Sequence, residues 1–146
     1  MNIDDELSRC REWIEAALDY SGGTHDFDDI VHGIHQLRYQ FWPAERGCAV
    51  TEIIIFPKKK IFHVFLAGGE MDQIVDMNDS AAQFAKAQGC DGMSIAGRKG
   101  WSRVLKNEGW TESFTTLARS YKMSGGKGGS QTQEATIPEW AKEPTI

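Results

Sequence analysis

Two polar residues interrupt the most apolar stretch of the chain and are the first candidates for chemistry. Glu52 falls within Ala49-Val50-Thr51-Glu52-Ile53-Ile54-Ile55-Phe56, and His63 within Ile61-Phe62-His63-Val64-Phe65-Leu66-Ala67. Either can act as a general base, since burial and neighbouring charge retune a carboxylate or an imidazole. Either can equally face solvent or a satisfied partner. A second constellation is Asp28, His32 and His35, at i, i+4 and i+7 of one helical stretch. A carboxylate and two imidazoles on one helix face can hold a divalent metal, and the polar face of a surface helix gives the same pattern. A third is Gly97-Arg98-Lys99-Gly100. Two cations in a Gly-flanked turn before a helix can bind a phosphate or a carboxylate, or Arg98 can pair with Asp91 or Glu108 while Trp101 packs.

The elements that must position these residues follow from periodicity and turn chemistry. Ile3, Leu7, Cys10, Ile14, Ala17 and Leu18 repeat at helical spacing, and Ser21-Gly22-Gly23 ends that helix. Thr24 is a good N-cap for a second, shorter helix whose apolar face is Phe27, Ile30, Val31 and Ile34. Leu37 to Trp42 reads as a short strand stopping at Pro43. The two runs carrying Glu52 and His63 form a hairpin of central strands, with Lys58-Lys59-Lys60 as its solvated tip. Gly68-Gly69 breaks the second strand. A helical stretch from Glu70 to Gln88 follows, with capping residues at Asn78-Asp79-Ser80 that can divide it. Gly89 stops it, Met93 to Ala96 is a strand, and Trp101, Val104 and Leu105 stripe a short helix closed by Gly109. Loose alternation from Trp110 to Tyr121 predicts a last strand or hairpin.

The bulk properties exclude several classes of function. A chain of 146 residues is one domain with enough core to fold without disulfides. Its net charge of -5 argues against a nucleic-acid binder. Cys10, Cys48 and Cys90 are widely spaced and odd in number, which fits packed thiols in a reducing compartment. The acidic start Met1-Asn2-Ile3-Asp4-Asp5-Glu6 is no signal peptide, and no apolar run is long enough to span a bilayer. From Ser124 to Gln133 the composition becomes that of a flexible linker, after which Ile137-Pro138-Glu139-Trp140 stands as an isolated apolar motif. The expectation is a body over residues 1–123 and an arm over 124–146 that docks on a protein partner through Ile137, Pro138 and Trp140.

The order helix-helix-strand-hairpin-helix-strand-helix-strand resembles the Gcn5-related N-acetyltransferase fold, with the resemblance covering Val50 to Tyr121. Gly109-Trp110 stands where that family usually shows Gly-Phe. The resemblance implies an α/β (α+β) fold with a mostly antiparallel central sheet and flanking helices, acyl-CoA N-acyltransferase-like. It also implies coenzyme A binding around Gly68 and Gly69, where the family has an Arg/Gln-x-x-Gly-x-Gly/Ala motif; Arg98 or Lys99 replaces the Asn often found at the start of the family's later helix, and the two remain cofactor candidates for their charge alone. On that alignment Phe65 takes the Arg/Gln position, Glu70 the second small position, and Leu105 the position of the family's Tyr general acid. Thr51-Glu52-Ile53, Gly68-Gly69-Glu70 and Gly97-Arg98-Lys99-Gly100-Trp101 also look like a group of small tailed-bacteriophage proteins. These departures and the arm lead to the expectation of a non-catalytic virion or assembly component. It would have no cofactor, bind other virion or assembly proteins, avoid nucleic acid and membrane, and pass from host cytoplasm to virion. It could also pair with its own copies. The alternative is a coenzyme-A-dependent N-acetyltransferase using acetyl-CoA, with Glu52 or His63 as base.

Overall fold

The computed structural model describes residues 2–97, 100–113, 117–119 and 121. Helix α1 (Ile3–Leu18) begins at Asn2, whose side chain accepts from the Asp5 N–H at 3.1 Å. Its buried residues Leu7, Cys10, Ile14 and Leu18 form one stripe at three- and four-residue spacing. Helix α2 (Phe27–His35) is capped by Asp26, not Thr24. Asp29 at the third position accepts a hydrogen bond from the Asp26 N–H, so the reciprocal capping box outcompetes a lone threonine. Thr24 bonds His25 Nδ1 instead, at 2.7 Å.

Strands β1 (Tyr39–Ala44), β2 (Gly47–Ile55) and β3 (Lys60–Gly69) make an antiparallel meander, and β4 (Gly92–Ile95) joins the far side of β3 in parallel. Pro43 lies inside β1 rather than stopping it, which an edge strand tolerates because one N–H row has no partner strand. Helices α3 (Met71–Asp76) and α4 (Asn78–Ala87) divide at Met77, next to Asn78-Asp79-Ser80, but no side chain caps the start of α4, and Asn78 Oδ1 accepts from Trp110 Nε1 instead. Helix α5 (Gly100–Leu105) runs into a 3₁₀ turn closed by Gly109 in the left-handed conformation, φ 90°.

The sheet separates two cores. One face carries Tyr39, Cys48, Val50 and Leu66 against α1 and α2. The other carries Ala49, Phe62 and Val64 against Ala85 and Phe84 of α4, with Ile74, Trp101 and Leu105 closing a third cluster above it. Arg9 pins α1 to the β1–β2 turn by donating to the carbonyls of Ala44 and Glu45 at 2.7 and 3.0 Å. Cys10 and Cys48 are buried free thiols facing one another, and burial pushes both upward in pKa. Among the described residues no helix is long and apolar enough to cross a membrane.

The compact unit holding all these elements is Met1–Glu112; Ser113–Ile146 form a separate unit. No strand is found among the described residues from 110 to 121, contrary to the alternation seen there. Of the alternating residues, Leu117 and Tyr121 are 89% and 80% exposed.

Candidate active site

Strand register brings four polar side chains into one row across the sheet. Tyr39 of β1 lies opposite Glu52 of β2, Glu52 opposite His63 of β3, and His63 opposite Ser94 of β4. Directly opposed residues point to the same face, and Tyr39 is buried in the α1/α2 core, so the row faces those helices. His63 Nδ1 lies 2.8 Å from Ser94 Oγ. Its Nε2 has no hydrogen-bond partner among the described residues, and neither does the Glu52 carboxylate. Tyr39 Oη reaches His25 Nε2 at 3.4 Å.

Electrostatics suit the row to proton transfer. Burial pushes the His63 pKa below the ordinary imidazole value of 6.5, while the Glu52 charge pulls the other way. His63 is therefore neutral at pH 7 and free to accept a proton. Burial and then the same Glu52 charge raise the Tyr39 pKa, so its phenol stays protonated.

The sheet opens directly beyond this row. Strands β3 and β4 pair from Ile61↔Gly92 to Val64↔Ile95, after which β4 ends and β3 continues to Gly69. A β-bulge falls at the same level. Val50 pairs with Leu66 but Thr51 pairs with Val64, so Phe65 is the extra residue. A bulge bends its strand and re-aims side chains. Here Phe65 and Leu66 both meet the α1/α2 core, and Phe65 packs edge-on to His25 at 4.9 Å. On the opposite face of the sheet from His63 and Ser94, behind the fork, an apolar hollow of about 50 Å³ is lined by Val64, Ile74, Met77, Ile95, Trp101 and Leu105. At the β1 end of the row, an open groove of about 470 Å³ is lined by Leu37, Arg38, Tyr39, Glu52, Ile53 and Ile55.

The structure thus unites Glu52 and His63 and adds Ser94 and Tyr39, which sequence reasoning missed. Their signal was present only as polar residues in strands whose register was unknown. Gly68 and Gly69 sit at close approaches within the chain itself. A side chain at Gly68 would meet the Trp13 carbonyl oxygen at 2.5 Å, and one at Gly69, where φ is +99°, would meet the backbone of Arg46 and Gly47. Glu70 accepts from Arg46 Nε at 2.8 Å, so its charge is offset by a cation. Asp28, His32 and His35 all lie on α2. His35 Nε2 turns to Asp4 Oδ1 on α1 at 2.7 Å, and among the described residues no group of three His, Cys, Asp or Glu can hold an ion. Arg98, Lys99, Ile137, Pro138 and Trp140 lie outside the described residues.

Layered helices on a sheet of this order define the Gcn5-related, acyl-CoA N-acyltransferase-like fold, and solved structures share it. A Thermus thermophilus protein superposes with a TM-score of 0.58 at 14% identity, covering 82% of this chain and 93% of its own. An aminoglycoside acetyltransferase from an uncultured soil sample, solved with sisomicin, gives 0.54 at 12% identity over 82% and 88%. A Trypanosoma brucei acetyltransferase gives 0.54 at 8% identity over 65% and 78%. No family model matches the sequence, and no curated protein does. At such identities the likeness shows the fold alone, and it carries no sign of a bacteriophage origin.

Proposed function

We propose that this protein is an N-acyltransferase that moves an acyl group, acetyl in the simplest case, from a coenzyme-A-type thioester to an amine. The observation that carries the proposal is the coincidence of the β3–β4 fork, the Phe65 bulge and the Glu52–His63 pair at one level of the sheet. Where β4 stops, β3 runs on without its parallel neighbour, and the candidate base stands one residue before that end. The fold shared with the acetyltransferases above supports the same reading.

The residues fit the thioester-bearing end of such a donor. The hollow behind the fork is apolar, and at about 50 Å³ it takes only the tip of a linear arm. Gly68 and Gly69 do not add an open diphosphate cradle, since the chain itself fills the side-chain space at both. The donor, when bound, supplies an acyl carbon activated by its thioester. Val64, Ile95, Trp101 and Leu105 would hold the arm and keep water from it. His63 would take the proton of a neutral amine at Nε2, and the Glu52 carboxylate would steady the positive charge that develops on the ring. The assembly-component expectation rests on Ile137, Pro138 and Trp140, outside the described residues, and stands as the alternative.

Calorimetric titration of the full chain with acetyl-CoA, followed by thiol release on adding primary amines, separates the two. Micromolar binding with amine-dependent thiol release is expected. No binding at millimolar donor would sink the acyltransferase reading.

A further inference from the structure

An aminolysis has two proton problems, and His63 solves one. The amine must lose a proton, and the departing sulphur is helped by gaining one. Leu105, where the resemblance places a tyrosine acid, is buried hydrocarbon with no proton to give. Ser94 stands on the opposite face of β4 from Leu105, beside His63, and is the hydroxyl on the side of the sheet where the base acts. It stands one residue before Ile95, the last residue of β4 paired with β3, and 2.8 Å from His63 Nδ1. Both are half-buried and lie on the same face, at the mouth of the fork.

We propose that Ser94 donates the proton to the departing thiol and is resupplied by the same imidazole that deprotonates the amine. The proposal rests on the acyl-transfer reading above. It requires the His63 tautomer with hydrogen on Nδ1, donated to Ser94 Oγ, so that Nε2 is bare and the serine proton is free to point into the fork. As the amine nitrogen bonds the acyl carbon, His63 Nε2 takes one amine proton. The Nδ1 hydrogen passes to Ser94 Oγ, and the Ser94 hydroxyl proton passes to sulphur as the carbon–sulphur bond breaks with its electron pair staying on sulphur. Amine and thioester become amide and thiol. Serine ends as it began, imidazole ends neutral with its hydrogen on Nε2, and exchange with solvent resets the tautomer.

The first test needs no donor. Nitrogen-15 NMR of the His63 ring in the free protein should report the Nδ1–H tautomer at neutral pH, with a tautomer mixture in Ser94→Ala. An Nε2–H ring in the wild type would overturn the relay, because Nε2 could not then accept. The second test varies the leaving group. Ser94→Ala should slow acetyl transfer from an alkyl thioester such as acetyl-CoA by about 100-fold in kcat, the low end of general acid catalysis. Transfer from the thioester of an acidic thiophenol should hardly change, since that sulphur leaves without a proton. Ser94→Thr, which keeps the hydroxyl and suits a strand, should recover most of the rate. Equal losses with both donors, or none with either, would overturn the relay alone. A wild type that releases no thiol with any amine would remove acyl transfer itself.

Discussion

Two adjacent rows of the same sheet carry polar side chains and treat them in opposite ways. In the row Gln40, Thr51, Val64 and Ile95, the polar atoms close on one another. Trp42 Nε1 donates to Thr51 Oγ1 at 2.9 Å, and Thr51 Oγ1 donates to Gln40 Oε1 at 2.8 Å. Thr51 is 2% exposed and both ends of its hydroxyl are used. In the next row, Tyr39, Glu52, His63 and Ser94, the Glu52 carboxylate and His63 Nε2 have no hydrogen-bond partner among the described residues. A fully buried polar group left without a partner costs on the order of 1–3 kcal/mol, which closes the network around Thr51, whereas Glu52 and His63 are half-buried and within reach of solvent or a ligand. The closed row is structural and the open row is available for binding and proton transfer.

Substitution at the two rows should break along the same line. His63→Gln, which keeps a polar side chain of similar reach, should cost about 100-fold or more in kcat/KM for thiol release while leaving thermal stability close to wild type. Thr51→Val should do the reverse. It strands the Trp42 indole N–H in the core and should lower stability by about 1–3 kcal/mol in denaturant melts, with catalysis retained in the folded fraction. If His63→Gln unfolds the protein and leaves the rate per folded molecule unchanged, the contrast between the rows is wrong.

What the sequence disclosed and what it hid divide by range. Helix ends were legible because their chemistry is local: Gly89 and Gly109 both adopt positive φ where the apolar stripes stop. The hairpin holding Glu52 and His63 was legible from two matched β-branched runs. The competition between Thr24 and Asp26 was local but close, and the third residue of the helix, Asp29, decided it. The partners of His63 were not legible. Ser94 is 31 residues away, and nothing in either segment states the parallel register that makes them neighbours. The Phe65 bulge was hidden for the same reason, since an extra residue shows only against its partner strand. The helical spacing of Asp28, His32 and His35 was legible as geometry, but the contact that Asp4 on α1 makes with His35 was not. Pro43 misled through an assumption about strand position that only the sheet order could supply.

The finest test of the open row is a shift in pH dependence. The folded-state pKa of His63 is depressed below 6.5, mainly by burial, with Glu52 partly opposing that depression. Folding stability carries no penalty from His63 above the unfolded value, and falls as pH drops below it, because the unfolded chain then binds the proton more readily. The acidic limb of kcat/KM should likewise lie below the ordinary imidazole value, since the neutral base persists to lower pH. Glu52→Gln removes the charge that favours imidazolium, so the His63 pKa should fall further and the limb should move to lower pH. NMR titration of the His63 ring measures this directly, with or without turnover. A limb that moves to higher pH, or does not move, would mean that Glu52 and His63 are opposed in register without acting on one another, and the row would lose its central pair.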